Sequence, residues 1–223
     1  MISPSEYTSG SPFRRLDSTR DSEFYATPRI TEHIDERAVA ALTKYNTDLV
    51  SGGGGVKEVL DVGASHVSHI TPGGDVRVTG LGMNAVEMMN NPLLSRPNAG
   101  IVQDLNENPA LPFEKNTFDF VLMQLTVDYL VKPVSVFKSV SSVLKPGGTF
   151  SVTFSDRVFM SKQIGIWSGK DDFDHIMTVV GYVAKSILEG GDFNIESLEV
   201  KVLSDGSGGK YDPLFAVEVR SKG

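Results

Sequence analysis

The segment 118–123 (FDFVLM) constrains the fold of this chain more than any other stretch. Such an almost wholly apolar run predicts a strand that helices cover on both faces, as in a parallel sheet. Further apolar segments predict four more strands, at 56–62, 76–81, 100–103 and 149–154. Helical spacing appears between them at 85–90 and 134–144. This alternation predicts an α/β domain with a doubly wound, mostly parallel sheet.

Both ends of the chain add to this pattern. A long helix is predicted at 172–188, and strands at 195–203 and 214–219 flank a glycine-rich loop, which is typical of a hairpin. The hairpin completes a seven-stranded sheet with an antiparallel edge. Near the other end, Thr31 is the predicted N-cap of a helix that ends at the joint 51–55, SGGGG.

The first 28 residues are rich in Ser, Thr, Pro and charge, and they leave two alternatives open: a mobile arm, or a segment folded over a site. We expect an N-terminal arm and cap helix over 1–55, joined to a domain over 56–223 in one compact unit. A length of 223 residues suits such a unit.

The amino-acid composition indicates which partners and which cellular compartment to expect. The chain has no cysteine, which excludes disulfides and thiolate metal sites and favours an intracellular, cytoplasmic protein, with an organelle left open. Its net charge is -7 with no basic stripe, which disfavours nucleic acid as a partner. It has no apolar run near ~18 residues and no apolar signal core at its start, so we expect no membrane partner.

Candidate site residues follow the strands, because open α/β sheets bind ligands beyond the carboxyl ends of their strands. The main ones are Asp61, Gly63 and Ser65, then Gly82 and Met83, then Asp104 and Leu105, then Gln124, Asp128 and Tyr129, and finally Arg157.

The order of these candidate residues along the chain resembles that of a class I S-adenosylmethionine-dependent methyltransferase of the type 11 group, over about residues 56–155. The most telling stretches are Asp104-Leu105 and the segments 111–113 (LPF), 118–121 (FDFV) and 144–148 (LKPGG). The resemblance implies a Rossmann-like methyltransferase fold. It also implies methyl transfer from S-adenosylmethionine to an unidentified small molecule, with S-adenosylhomocysteine as product.

The resemblance also implies which residues hold the cofactor. In the family, the acid in the place of Asp104 accepts a hydrogen bond from the adenine amino group, a task that suits an acceptor-only carboxylate. The amide of the next residue, here Leu105, contacts the ring. The implied cofactor-binding set is Asp61, Gly63, Ala64, Ser65, Gly82, Met83, Asp104, Leu105 and Gln124.

Two departures separate this chain from the family. The Asp-x-Gly-x-Gly-x-Gly loop maps onto Asp61, Gly63, Ser65 and Val67, and a β-branched valine is poorly suited to positive φ. The loop therefore takes another backbone path, or its ligand sits differently. Pro72-Gly73-Gly74 limits the helix that follows to about two turns.

The second departure is Gly82, which stands where the family has the acidic residue that holds the ribose hydroxyls. Asn84 and Glu87 are the candidates to replace it. The missing acid also disfavours a nicotinamide dehydrogenase. These changes keep two alternatives open: a methyltransferase-fold binding or scaffolding protein without catalysis, and a pocket for another nucleotide or small acid.

Several polar residues are candidates for chemistry. If the acceptor must lose a proton, the candidate bases are His33, His66, His69 and Asp128. His66 and His69 share a face if they lie on a helix, but their spacing matches no strong zinc motif, so we expect no metal. Either histidine could instead donate a hydrogen bond to a neighbouring loop or to a bound carboxylate.

Residues near the strand ends and in the N-terminal region are candidates to bind the acceptor: Tyr25, Tyr129, Arg157 and Trp167. Structural alternatives stay open for several of these residues. Asp128 could cap a turn, Arg157 could form a surface ion pair, and Trp167 could belong to the core. The chain lacks an Asn/Asp-Pro-Pro-Tyr motif, which disfavours amide and nucleobase acceptors.

Overall fold

A computed structural model describes residues 11–52, 54–73 and 75–223. Its centre is a seven-stranded sheet in the order β3-β2-β1-β4-β5-β7-β6. The strands are β1 (Lys57–Val62), β2 (Val76–Gly82), β3 (Gly100–Val102), β4 (Phe118–Gln124), β5 (Leu144–Phe154), β6 (Phe193–Asp205) and β7 (Pro213–Ser221). Five strands are parallel, and β7 runs antiparallel between β5 and β6. The predicted fold class is confirmed.

The α-helices of the described residues are α1 (Asp21–Phe24), α2 (Glu36–Val50), α3 (Ala85–Met89), α4 (Pro133–Val143) and α5 (Asp172–Leu188). Apolar residues that alternate along the central strands divide the core between the two faces. On one face Leu60, Val121 and Phe150 share a cluster with residues of α4 and α5. On the other, Val59 and Leu122 share a smaller cluster with Val50, at the end of α2.

The helix α2 begins later than the sequence predicts. Its N-cap is Asp35, whose carboxylate accepts from the Ala38 amide, so the prediction that Thr31 is the cap is wrong. The second Asp35 oxygen accepts from the amide of Asp212, beside β7. This long-range contact supports the cap at Asp35, and local propensity alone cannot distinguish the two positions.

The connection from β1 to β2 differs from the prediction in a second way. The described residues 63–73 form no helix, so the prediction of a short helix there is wrong. His66 and His69 therefore share no helical face. His69 has a φ of 46°, which interrupts any helix at that point. Side chains rather than a helical ladder bind the carbonyls of Ser68 and His69.

Candidate functional site

A cavity of about 170 Å³ lies at the carboxyl ends of the parallel strands. The topology explains its position, since β3 and β2 extend to one side of β1 while β4 and β5 extend to the other. The cavity brings together all nine residues that the resemblance assigned to the cofactor: Asp61, Gly63, Ala64, Ser65, Gly82, Met83, Asp104, Leu105 and Gln124.

Gly63 opens the first loop and needs to be glycine. Its φ is 86°, and a Cβ placed there would lie 2.0 Å from Oγ1 of Thr126 in the loop after β4. The amides of Gly63 and Ala64 both donate to the Leu81 carbonyl, at 2.8 and 3.0 Å. The loop is therefore packed tightly between the ends of β2 and β4.

Beyond Gly63 the loop contains non-glycine residues at the positions that the family pattern gives to glycine. In the described part of the chain, the left-handed non-glycine residues include His69 but neither Ser65 nor Val67. Neither residue therefore has the left-handed conformation that a glycine would readily adopt at its position. Ser65 has a new role, because its hydroxyl donates to Glu87 Oε2 at 2.7 Å.

Two buried amides hold the end of this loop. Asn46 of α2 donates to the His69 carbonyl at 3.1 Å and to Gln124 Oε1 at 2.8 Å. Gln124 in turn donates to the Ser68 carbonyl at 3.2 Å and to Asp61 Oδ1 at 2.9 Å. Gln124, predicted to bind the cofactor, thus also supports the loop and Asp61.

Two atoms of predicted site residues in the cavity wall have no hydrogen-bond partner in the described part of the chain. One is Asp61 Oδ2 and the other is His69 Nδ1, and both are buried. Burial raises the pKa of Asp61 to about 6 and lowers the pKa of His69 to about 4. Unpartnered polar atoms beside a cavity are candidates to bind a ligand.

Gly82 cannot be replaced by the acid that the family has at this position. A Cβ on Gly82 would lie 2.0 Å from the Ala64 carbonyl oxygen. Of the two candidate substitutes, Asn84 caps α3 and donates to the Tyr25 carbonyl at 2.8 Å. Glu87 of α3 lines the cavity, so it is the remaining candidate to replace the missing acid.

On the opposite side of the cavity, Asp104 Oδ1 accepts from the Asn106 amide at 2.8 Å and so shapes its own turn. Asn106 then donates to Asp21 Oδ2 at 2.8 Å. Asp21 is also bound by Arg15, at 2.8 and 2.7 Å, and lies 3.2 Å from Lys162 Nζ. Residues 11–28 therefore fold over the site, while residues 1–10 lie outside the described residues.

A second cavity, of about 650 Å³, adjoins the first one. Arg157 lines it but is 61% exposed and 3.5 Å from Asp212, which agrees with a surface ion pair. Trp167 lines it as well, yet it is 2% exposed and stacks on His175, so it is also a core residue. The two cavities share the residues Glu32, His33, Leu125, Tyr129 and Phe159.

The remaining candidates differ in position. His33, His66, His69 and Tyr25 line the first cavity, and His33 and Tyr129 line both. Asp128 lines neither cavity: it is buried, and burial raises its pKa to about 7. Over the described residues, no group of three or more His, Cys, Asp or Glu side chains is arranged to hold a metal ion.

Several residues of this wall are not predicted from the sequence, among them Arg29, which lies in the segment folded over the site. A prolyl-arginine pair in a polar arm has no periodicity that separates it from a linker. The role of Arg29 at the cavity is seen only in the structure, where the N-terminal arm covers the site.

The family comparison agrees with this geometry. Residues 60–152, from β1 to β5, match the methyltransferase domain family. This match covers the central part of the sheet, and it is the part of the chain that resembles the class I methyltransferases. A search of the curated proteins found no match to the sequence. No helix in the described ranges has the length and apolar character needed to cross a membrane.

Solved structures of methyltransferases have the same fold as this chain. A putative methyltransferase from Haloferax volcanii, in complex with the Trm112 activator, has a TM-score of 0.60 at 14% identity, with 84% of this chain and 91% of that chain covered. Geranyl diphosphate C-methyltransferase from Streptomyces coelicolor has a TM-score of 0.55 at 10% identity, with 90% and 96% covered.

Phosphoethanolamine N-methyltransferase 2 from Haemonchus contortus has a TM-score of 0.55 at 13% identity, with 81% of this chain covered. This chain spans only 52% of that protein. At such identities these similarities show the fold alone.

Proposed function

We propose that this protein transfers a methyl group from S-adenosylmethionine to a small-molecule acceptor. The observation that carries the proposal is the meeting of all nine implied cofactor residues at one cavity. The Haemonchus contortus structure is a complex with S-adenosylmethionine, and the Streptomyces coelicolor structure contains S-adenosylhomocysteine. Both support a cofactor of this class for the shared fold.

The residues present fit that cofactor. Asp104 and the Leu105 amide would bind the adenine edge, and Glu87 would accept from the ribose hydroxyls in place of the acid excluded at Gly82. The unpartnered Asp61 Oδ2 suits the ammonium of the amino-acid end. The bound cofactor would supply an already activated methyl group, so the protein's main task is alignment.

The second cavity is the proposed acceptor site, because it opens onto the first through a shared wall. His33 belongs to that wall, with its ring edge-on to Phe159 at 5.3 Å. Burial lowers the pKa of His33, which favours the neutral imidazole, the form that can accept a proton. We assign His33 as the base for acceptors that must lose a proton.

A transfer assay tests this function. The protein is incubated with methyl-labelled S-adenosylmethionine and a small-molecule cell extract, and labelled products are identified by mass spectrometry. We expect a labelled product with the wild-type protein and a loss of product with His33→Ala. Cofactor binding without a labelled product from any extract would instead favour the non-catalytic binding protein.

A further inference from the structure

The guanidinium group of Arg29, at the wall of the first cavity, forms fewer hydrogen bonds than it can donate. The residue lines the cavity, and its Nη2 donates to the Phe24 carbonyl at 3.1 Å. Its Nη1 is buried and has no hydrogen-bond partner in the described part of the chain. A buried donor without an acceptor lowers the free energy of unfolding, and a ligand that accepts its hydrogen bond removes this penalty.

Aromatic rings hold this guanidinium in place. Its Cζ lies 4.7 Å from the ring centre of Phe24, 5.3 Å from that of Phe159 and 5.7 Å from that of Tyr25. Three rings around one cation restrict its rotamers and remove water from its faces. The group is therefore positioned before any ligand arrives, as recognition of a planar oxyanion requires.

The contrast with Arg15 shows what Arg29 lacks. Arg15 is similarly placed in the arm, but both oxygens of Asp21 accept hydrogen bonds from its Nη1. Arg29 forms no ion pair within the described residues, although carboxylates line the same cavity. Three of those carboxylates have other contacts: Asp21 with Arg15 and Lys162, Glu32 with His69, and Asp104 with its own turn. Asp61 accepts from Gln124 through one oxygen and has no partner for the other, and no ion pair joins it to Arg29.

Glu87 is bound to Arg29 through the backbone rather than through the guanidinium. Its Oε1 accepts from the Arg29 amide at 2.7 Å. This contact fixes where the Arg29 backbone lies and leaves the side chain to the aromatic rings. The positive group and the acid of α3 thus have separate positions in the same wall.

We propose that Arg29 is the anion-binding residue of this cavity, with Nη1 donating to a carboxylate or phosphate oxygen of the bound small molecule. The inference rests on the proposed function for the identity of that molecule. The oxyanion has two possible sources, the α-carboxylate of the cofactor and an acidic group on the acceptor. Phe159 touches the guanidinium and lines both cavities, so Arg29 lies beside the passage between them.

Calorimetric titration of the full chain distinguishes the two sources. The variants are Arg29→Gln and Arg29→Lys, with Arg77→Gln as a control that removes the same charge from a surface ion pair with Glu58. The probes are S-adenosylhomocysteine, 5′-methylthioadenosine (which lacks the amino-acid carboxylate), pyrophosphate and malonate.

If the cofactor supplies the oxyanion, Arg29→Gln weakens S-adenosylhomocysteine binding about 10- to 100-fold and leaves 5′-methylthioadenosine within about twofold. If the acceptor supplies it, Arg29→Gln leaves both nucleosides unchanged and abolishes pyrophosphate or malonate binding to the loaded protein. Arg29→Lys retains the positive charge but lacks the planar guanidinium, so its affinity for the affected probe falls between those of the wild type and Arg29→Gln. Equal affinities for every probe in wild type and Arg29→Gln would overturn the proposal.

Thermal unfolding of Arg29→Met provides a readout that does not depend on the cofactor. Because Nη1 is orphaned in the free protein, we expect an equal or higher Tm without ligand and a smaller ligand-induced shift. A lower Tm together with unchanged anion binding would show a structural role and contradict the inference. If the wild-type protein binds no S-adenosylhomocysteine, the proposed function fails, whereas pyrophosphate and malonate still test Arg29 by themselves.

Discussion

The Ser65 hydroxyl donates to Glu87 Oε2 at 2.7 Å, which joins the altered first loop to the helix after β2. Both residues are connected with a departure from the family pattern. Ser65 replaces a glycine of the loop, and Glu87 is the candidate to substitute for the acid that is missing at Gly82. The hydrogen bond connects the two changes and holds a carboxylate at the cavity. We infer that they compensate for each other in cofactor binding.

Replacement of Glu87 by alanine tests that compensation. Loss of a carboxylate that accepts from ribose hydroxyls should weaken S-adenosylhomocysteine binding about 10- to 100-fold. Ser65→Ala, which removes only the support of Glu87, should have a smaller effect. Calorimetry measures both, with the exposed Glu189→Ala as the matched control. Wild-type affinity in Glu87→Ala would place the ribose elsewhere.

Gly82→Ala should destabilise the fold. The new Cβ would meet the Ala64 carbonyl oxygen at 2.0 Å, and backbone must move to admit it. The expected loss is about 1–3 kcal/mol in the free energy of unfolding, measured by urea denaturation. Gly181→Ala is the control, because Gly181 lies within α5 with nothing within 4 Å, and it should gain about 0.5–1 kcal/mol. An unchanged stability for Gly82→Ala would mean that the loop yields freely.

The sequence predicts the sheet well because its signals are local. Apolar runs such as 118–123 and the glycine-rich hairpin need no distant partner to be interpreted. The path of the first loop cannot be predicted in this way, since it depends on Asn46, which is 23 residues from His69. The roles of Arg29 and Glu87 likewise depend on an arm that meets α3 across 58 residues.

Asp128→Asn should alter the pH dependence of stability. Burial raises the pKa of Asp128 from 3.8 to about 7, so the folded protein holds this proton more tightly than the unfolded chain. The wild type therefore loses stability from this group as the pH rises from about 4 through 7. An asparagine cannot ionise, so the variant should gain on the wild type over that range, by up to roughly 4 kcal/mol at pH 8.

Urea denaturation of both proteins at pH 5, 6, 7 and 8 measures this difference. His69 and Asp61 are present in both, so their contributions cancel. A stability difference that stays constant from pH 5 to 8 would mean that Asp128 titrates normally.

Asn46→Ala should loosen the first loop. It would orphan the His69 carbonyl and Gln124 Oε1, both of which accept from Asn46. We expect a loss of about 2–4 kcal/mol in the free energy of unfolding. Asn90→Ala, at an exposed residue that donates to Val86, should change stability by less than about 0.5 kcal/mol. Equal losses in the two variants would argue against a special role for Asn46.

Calorimetric titration with S-adenosylhomocysteine, in wild type and Asp104→Asn, is the decisive test of a cofactor site at this cavity. The asparagine keeps an oxygen for the Asn106 amide but replaces an acceptor with a donor, so the turn remains while the adenine contact is lost. We expect saturable binding to the wild type and an affinity about 10-fold or more lower in the variant. No heat from the wild type at millimolar ligand, or equal affinity in both proteins, would contradict a cofactor site at this cavity.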